Sequence, residues 1–203
     1  DVANSLGVSS SLIHYHFESK EVLLAAAFEH YARKDVAEML ADIEAAPGHA
    51  ERLVRLLENY VPEGSDDLEW KLWIDAWGEA LRNPLMKRIS QQLDEQSNAL
   101  LEEIIAAGVR DGAFECPDPA ASSARITALI DGLAIQYAAH EGLLDREGLL
   151  ASVLLAAGRE VDTDLTPFLL SDRQDRPNPA TGSTAPRVHW CPRCGSGHLC
   201  PHS

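Results

Sequence analysis

Serine, histidine and tyrosine side chains cluster near the start of the chain in a pattern that suits contact with DNA. A short helical segment ends at Gly7, and the segment after it carries Ser9, Ser10, Ser11, His14, Tyr15 and His16. Hydroxyl groups and imidazole nitrogens reach base edges or phosphate oxygens. Lys20, at the expected start of the next helix, lies beside backbone amides that suit one phosphate. Two helices joined by a glycine turn predict a helix-turn-helix whose second helix enters the major groove.

Three tryptophans are spaced so that they share one face of a helix. Trp70, Trp73 and Trp77 follow each other at intervals of three and four residues. Large aromatic side chains at this spacing most often belong to a hydrophobic core. An aromatic wall also attracts planar or cationic ligands, because a cation is drawn to the face of an aromatic ring. From the residues alone, both interpretations stay open.

The end of the chain holds side chains of the types that bind Zn²⁺. Cys191 and Cys194 have the spacing of a zinc knuckle, whereas Cys200 and His202 are separated by one residue, which is short for a zinc-site pair. A zinc site at these residues is one prediction, and a solvated tail without metal is another. A thiol redox pair is the third, although no βαβ pattern surrounds it. No other cofactor is predicted.

The remaining residues show no pattern of catalysis. His140-Glu141 is followed by Leu144 at the position where a zinc protease motif needs its second histidine. The sequence contains neither Gly-x-Ser-x-Gly nor a glycine-rich phosphate loop. We therefore predict that the protein is not an enzyme.

Composition and charge set limits on these interpretations. The 203 residues are 45% hydrophobic and 24% charged, as in ordinary packed proteins. No apolar run is long enough for a membrane span, and the start, Asp1-Val2-Ala3-Asn4, does not resemble a signal peptide, so a cytoplasmic protein is expected. The net charge is −15, and residues 1–170 carry −17. Residues 1–170 therefore repel nucleic acid at long range, so any DNA contact must be local.

Helical periodicity runs through residues 1–160 almost without interruption, which predicts an all-α fold. Helix starts are signalled at Ser9, Ser19, Asp66 with Glu69, Asn83-Pro84, Asp118-Pro119 and Asp145. The helix that begins after Ser19 is expected to reach Ile43. From about Ser171 the pattern stops, and five of the eleven prolines lie beyond that point, which predicts a disordered tail.

Residues 2–24 resemble the helix-turn-helix of TetR-family transcriptional regulators. The matching runs are Gly7-Val8-Ser9, Ile13 with the aromatic cluster that ends at Phe17, Ser19-Lys20-Glu21 and Leu23-Leu24. Residues 70–84, Asp111-Gly112-Ala113-Phe114 and Asp131-Gly132-Leu133-Ala134 are similar to the BetI-like branch. The resemblance implies a DNA-binding region at 1–34 and a helical-bundle effector-binding and dimerisation domain at 35–170. Residues 171–203 remain as the tail.

The resemblance further implies a homodimeric repressor that a small-molecule effector releases from a pseudo-palindromic DNA operator. It implies an effector pocket, for which the candidate residues are Trp70, Trp73, Trp77, Asp131 and Tyr137. The dimer is expected to form through the helices around 119–142 and 145–160, because small and aliphatic residues occupy more than one face of each.

One feature departs from the family pattern. Family members carry a further helix ahead of the position of Asp1, and residues 1–34 hold three basic and four acidic side chains. We therefore expect an N-terminally truncated chain. The alternative function is that of a dimeric helical ligand-binding protein that has lost DNA binding.

Overall fold

The computed structural model describes residues 2–5, 7–32 and 36–169, and regular structure in these ranges is entirely helical, which confirms the all-α class. The helices are α1 (Val2–Ser5), α2 (Ser10–His16), α3 (Lys20–Ala32), α4 (Val36–Glu44), α5 (His49–Tyr60), α6 (Leu68–Ala80), α7 (Pro84–Arg110), α8 (Pro119–Ala139) and α9 (Arg146–Glu160). Not one of them combines the length and the apolar character needed to span a bilayer. The predicted tail lies outside the described residues.

Side-chain caps start five of these helices where the sequence predicts them. The side chains of Ser9, Ser19, Asn83, Asp118 and Asp145 accept a hydrogen bond from a first-turn backbone N–H of α2, α3, α7, α8 and α9, respectively. Each cap satisfies a donor that has no partner inside the helix. The helix starts are therefore set by local chemistry.

Helix α6 begins one residue later than predicted. Its N-cap is Asp67 rather than Asp66, and the Asp67 Oδ1 accepts hydrogen bonds from the backbone N–H groups of Glu69 at 2.8 Å and Trp70 at 3.3 Å. Asp66 instead pairs with the Lys71 ammonium at 2.7 Å, which lowers the pKa of the Asp66 carboxyl. The cap therefore fixes the turn of backbone that carries Trp70.

The helix predicted from Ser19 to Ile43 corresponds to α3 and α4. Ser19 caps α3, and Ile43 lies in the last turn of α4. Residues 33–35, between the two, lie outside the part of the chain that is described, so the continuity of this helix stays a prediction.

The chain divides into two compact units, of which Asp1–Leu24, here called the head, belongs to one and Ala25–Asp175, here called the bundle, forms the other. In the head, the turn between α1 and α2 depends on Gly7. The φ angle of Gly7 is +65°, and its N–H donates to the Asn4 carbonyl at 3.2 Å. Glycine adopts this left-handed conformation without strain, as the sequence predicted.

An apolar core among α5, α7, α8 and α9 holds the bundle together. Its fully buried side chains include Leu53, Leu56, Leu57, Leu101, Ile105, Ile126, Ile130, Leu149, Val153 and Leu154. Burying one such side chain contributes roughly 1.5–3 kcal/mol. The core therefore supplies most of the attraction between these four helices.

A smaller apolar cluster joins α3, α6 and α7. Ala25 and Phe28 of α3 pack with Ala76 of α6 and with Met86 and Leu93 of α7. This cluster and the main core hold α6 from two sides. The helix that carries the tryptophans is thus fixed in position.

A polar clamp connects α8 to α9. The Arg125 Nε donates to the Glu160 Oε1 at 2.8 Å, and the Ser122 hydroxyl donates to the Glu160 Oε2 at 2.7 Å. The hydrogen bond from Arg125 is the main reason that the pKa of Glu160 is lowered to about 2. The carboxylate is therefore charged, and the clamp intact, at any pH near neutrality.

Candidate ligand-binding site

A cavity of about 430 Å³ lies within the bundle, with walls from α3, α4, α5, α6, α7 and α8. This volume is in the range of pockets that bind small molecules. One side of the cavity is aromatic and is supplied mainly by α6, and another side carries two carboxylates, supplied by α7 and α8.

The aromatic wall consists of Trp70, Trp73 and Trp77. The ring centroids of Trp73 and Trp77 are 5.6 Å apart, and those of Trp70 and Trp77 are 6.1 Å apart. Trp70 packs on the main core and Trp73 on the smaller cluster. The two interpretations of the tryptophan stripe are therefore compatible, because these rings pack against the core and also face the cavity.

The acidic wall consists of Asp94 on α7 and Asp131 on α8. Burial raises the pKa of Asp94, and a hydrogen bond from the Trp77 indole Nε1 to the Asp94 Oδ2, at 3.3 Å, opposes that rise. Burial, together with the nearby charge of Asp94, raises the pKa of Asp131 to about 6. Two half-buried carboxylates that face the same cavity favour a positively charged occupant.

Other polar groups of the wall are paired within the protein. The Tyr60 hydroxyl donates to the Ser97 carbonyl at 3.0 Å, and burial raises the pKa of Tyr60 to about 12. The Asp42 Oδ1 accepts a hydrogen bond from Arg55 at 2.8 Å. Among the described residues that line the cavity there is no lysine, arginine or histidine. The wall is accordingly negative.

The structure brings four of the five predicted pocket residues together: Trp70, Trp73, Trp77 and Asp131 line one cavity. Tyr137 is not among the lining residues. It lies on α8 beyond Asp131 and packs against the main core. The sequence did not single out Asp94, although a signal was present: Ser90, Asp94, Ser97 and Leu101 follow helical spacing on α7, so polar residues continue a buried stripe.

In the head, most of the predicted DNA-contacting side chains are exposed. Ser11, His14, Tyr15, His16 and Lys20 are open to solvent, and Tyr15 is 82% exposed. The rings of Tyr15 and His16 meet edge to face, with centroids 5.1 Å apart. These side chains are available to a partner.

The two other predicted contacts in the head differ from these. The Ser9 hydroxyl already accepts a hydrogen bond from the Leu12 N–H and lies 2.9 Å from the Ser11 hydroxyl, so its first role is the helix cap. The side chain of Ser10 lies outside the described part of the chain.

The predicted zinc ligands Cys191, Cys194, Cys200 and His202 also lie outside the described residues. Within the part of the chain that is described, no group of three or more histidine, cysteine, aspartate or glutamate side chains is placed to hold a metal ion.

A helix-turn-helix in one unit and a helical bundle in the other are the fold of a DNA-binding transcriptional regulator. Residues 49–158, more than half of the chain, match the family model for the BetI-type transcriptional repressor, C-terminal. The chain therefore belongs to the BetI-type branch of the TetR family, which confirms the family predicted from the sequence.

Solved structures share the fold. A protein classed as a transcriptional regulator from Saccharomonospora viridis, solved in complex with choline, is 28% identical, with a TM-score of 0.68 over 75% of this chain and 80% of that one. A TetR-family regulator from a Rhodococcus species is 21% identical, with a TM-score of 0.64 over 76% and 82% of the two chains. A regulator from Pseudomonas aeruginosa PAO1 is 24% identical, with a TM-score of 0.63 over 76% and 77%. No curated protein gives a significant match.

Proposed function

We propose that this protein is a transcriptional repressor that a small organic cation releases from DNA, and that the cation binds in the tryptophan-lined cavity of the bundle. One observation carries the proposal: three indole rings face two half-buried carboxylates in the same cavity. A cation placed between them is attracted by the ring faces and by the negative charge. An anion would be repelled by both.

Choline is the first cation to test. The S. viridis neighbour is solved in complex with choline, and the aromatic and acidic walls of this cavity suit the same chemistry. A quaternary ammonium group has no N–H to donate, so its binding depends on aromatic faces and on nearby negative charge. Both are supplied here by α6, α7 and α8.

The test is isothermal calorimetry with choline and with 3,3-dimethylbutanol, its neutral analogue of almost the same shape. The proposal requires that choline binds and that the neutral analogue binds at least about tenfold more weakly, because it lacks the charge that the indole faces attract. Equal affinity for the two compounds, or no binding of choline and of related alkylammonium ions, would contradict it.

DNA binding is proposed for the exposed side chains of the head and for Ser9 and Ser10: Ser9, Ser10, Ser11, His14, Tyr15, His16 and Lys20. Selection from random-sequence DNA should enrich a pseudo-palindrome whose half-sites are about 34–36 Å apart, or a multiple of that distance. Adding choline should then release the selected DNA in a gel-shift titration. If no sequence is enriched while choline still binds, the alternative of a ligand-binding protein without DNA binding is supported instead.

A homodimer through α8 and α9 is the third part of the proposal. Ile135 on α8 is 39% exposed and Leu155 on α9 is 47% exposed, although both are large and apolar. Leu154, by contrast, is fully buried inside the bundle, so its replacement would test folding instead of assembly. Sedimentation of Ile135→Asp and Leu155→Asp should show folded monomers, because a charge in an apolar interface is costly.

A further inference from the structure

The carboxylate of Asp131 differs in its hydrogen bonding from those of Asp94 and Asp42, which line the same cavity. The Asp94 carboxylate accepts the Trp77 indole N–H, and the Asp42 carboxylate accepts the Arg55 guanidinium. No backbone or side-chain donor among the described residues lies within hydrogen-bonding distance of Asp131. Asp131 therefore faces the cavity without a donor from the described chain.

Two hydroxyl donors of the cavity wall are already used elsewhere. The Tyr60 hydroxyl donates to the Ser97 carbonyl at 3.0 Å, and the Thr127 hydroxyl, one helical turn before Asp131 on α8, donates to the Ser123 carbonyl at 3.0 Å. Neither can turn to Asp131 without giving up its bond to the backbone. With the described side chains placed as they are, a donor for Asp131 has to come from the contents of the cavity.

A half-buried carboxylate has lost part of its hydration, and no hydrogen bond from the described residues replaces that part, which is unfavourable. The raised pKa of Asp131 has the same cause, since burial is its main contribution. A quaternary ammonium group compensates the charge of this carboxylate but donates no hydrogen bond to it. A ligand with a hydroxyl or N–H group beside its cationic centre would supply both a compensating positive charge and a hydrogen bond to the Asp131 carboxylate.

We propose that Asp131 is the specificity-determining residue of the cavity, and that it selects organic cations that carry a hydroxyl or N–H donor over equally large cations without one. The inference rests on the proposed function, because it requires that organic cations bind in this cavity. The inference requires the ligand to carry a hydrogen-bond donor as well as a positive charge. The aromatic wall binds the cationic group, and Asp131 accepts the hydrogen bond from the donor.

The test is a calorimetric cycle with two ligands and two proteins. Choline is compared with propyltrimethylammonium, in which a methyl group replaces the hydroxyl, on the unmodified full chain and on Asp131→Ala. The unmodified protein should bind choline on the order of tenfold or more tightly than propyltrimethylammonium, as expected for a hydrogen bond to a charged acceptor. In Asp131→Ala the ratio should fall to within about threefold, with choline losing more affinity than its analogue.

The matched control is Asp75→Ala, which removes a carboxylate from the exposed side of α6 and leaves the cavity wall intact. This variant should keep the full ratio of the affinities for choline and propyltrimethylammonium. Asp131→Asn keeps the shape and an acceptor oxygen at this position, so it should give an intermediate ratio even if the alanine variant folds poorly.

The outcomes separate the inference from the proposed function. If both cations bind the unmodified protein with equal affinity, the proposed function stands and the role of Asp131 is wrong. A ratio that survives in Asp131→Ala and Asp131→Asn would also overturn that role. If neither cation binds, the proposed function fails and the inference fails with it.

Discussion

Phe28 and Trp73 meet edge to face inside the bundle, with ring centroids 4.9 Å apart and ring planes at 87°. Trp73 lines the cavity, and Phe28 lies on α3, the helix that begins at Lys20. Edge-to-face pairs hold two rings in a defined relative orientation. A ligand that presses on the Trp73 ring therefore acts directly on a side chain of α3.

We predict that Phe28→Leu weakens the coupling between ligand and DNA more than it weakens either binding step. Leucine keeps an apolar side chain in the small cluster but removes the ring that contacts Trp73. Calorimetry should give a choline affinity within about threefold of the unmodified protein, whereas gel-shift titrations should need about tenfold more choline to release DNA. Unchanged release by choline would show that this contact carries none of the coupling.

Trp73→Leu should weaken choline binding by about 1–2 kcal/mol, or roughly tenfold, because one face of the aromatic wall is lost. The affinity for neutral 3,3-dimethylbutanol should change much less, since leucine still offers apolar contact. Calorimetry with both compounds separates these effects. A parallel loss for both compounds would mean that the variant has collapsed the cavity rather than removed an attraction to cations.

Choline affinity should fall as the pH is lowered through about 6. The pKa of Asp131 is raised to about 6, so the carboxylate is charged above that value and protonated below it. The charged form attracts the cation, and choline keeps its charge throughout, so the protein alone sets the pH dependence.

The expected loss is about tenfold between pH 7 and about pH 5, measured by calorimetry at constant ionic strength. Asp131→Asn should flatten the profile, because the amide does not titrate in this range. A variant that keeps the full pH dependence would assign it to another group, of which Asp94 is the nearest candidate on the opposite helix.

Gly108→Ala should destabilise the bundle by about 1–3 kcal/mol in urea denaturation. The Phe114 ring lies so close to the Gly108 backbone that a Cβ at that position would overlap it, and Phe114 is buried in the main core. Gly78→Ala on α6 is the matched control, because nothing lies within 4 Å of its added Cβ. That change should be neutral or stabilising, since alanine favours a helix by up to about 1 kcal/mol. Equal effects of the two changes would contradict this account of the Gly108–Phe114 contact.

Most of the fold could be predicted because its signals are local. Asn83-Pro84, Asp118-Pro119 and Asp145 mark helix starts by themselves, since a cap acts on the backbone two or three residues away. Such signals place a helix start to within about one residue, as α6 shows. Two adjacent carboxylates could cap this helix; Asp67 does so, and Asp66 pairs with Lys71 instead.

The ligand-binding site could be predicted less completely from the sequence, because it depends on packing between helices. The spacing of Trp70, Trp73 and Trp77 defines one face of α6 but not what that face meets. Asp94 and Asp131 are far apart in the chain, and only the packing of α7 on α8 brings both to one cavity. Tyr137, proposed from the same helix as Asp131, turns to the core instead.

The position of the tryptophans also allows ligand binding to be measured by the intrinsic fluorescence of the protein. Three of the four indoles in the chain line the cavity, and the Trp77 indole N–H is bonded to Asp94. Indole emission responds to local polarity and to nearby charge, so a cation entering the cavity changes the surroundings of three of the four indoles in the chain at once. Occupancy of the site can therefore be followed by tryptophan fluorescence in unlabelled protein, on the timescale of mixing.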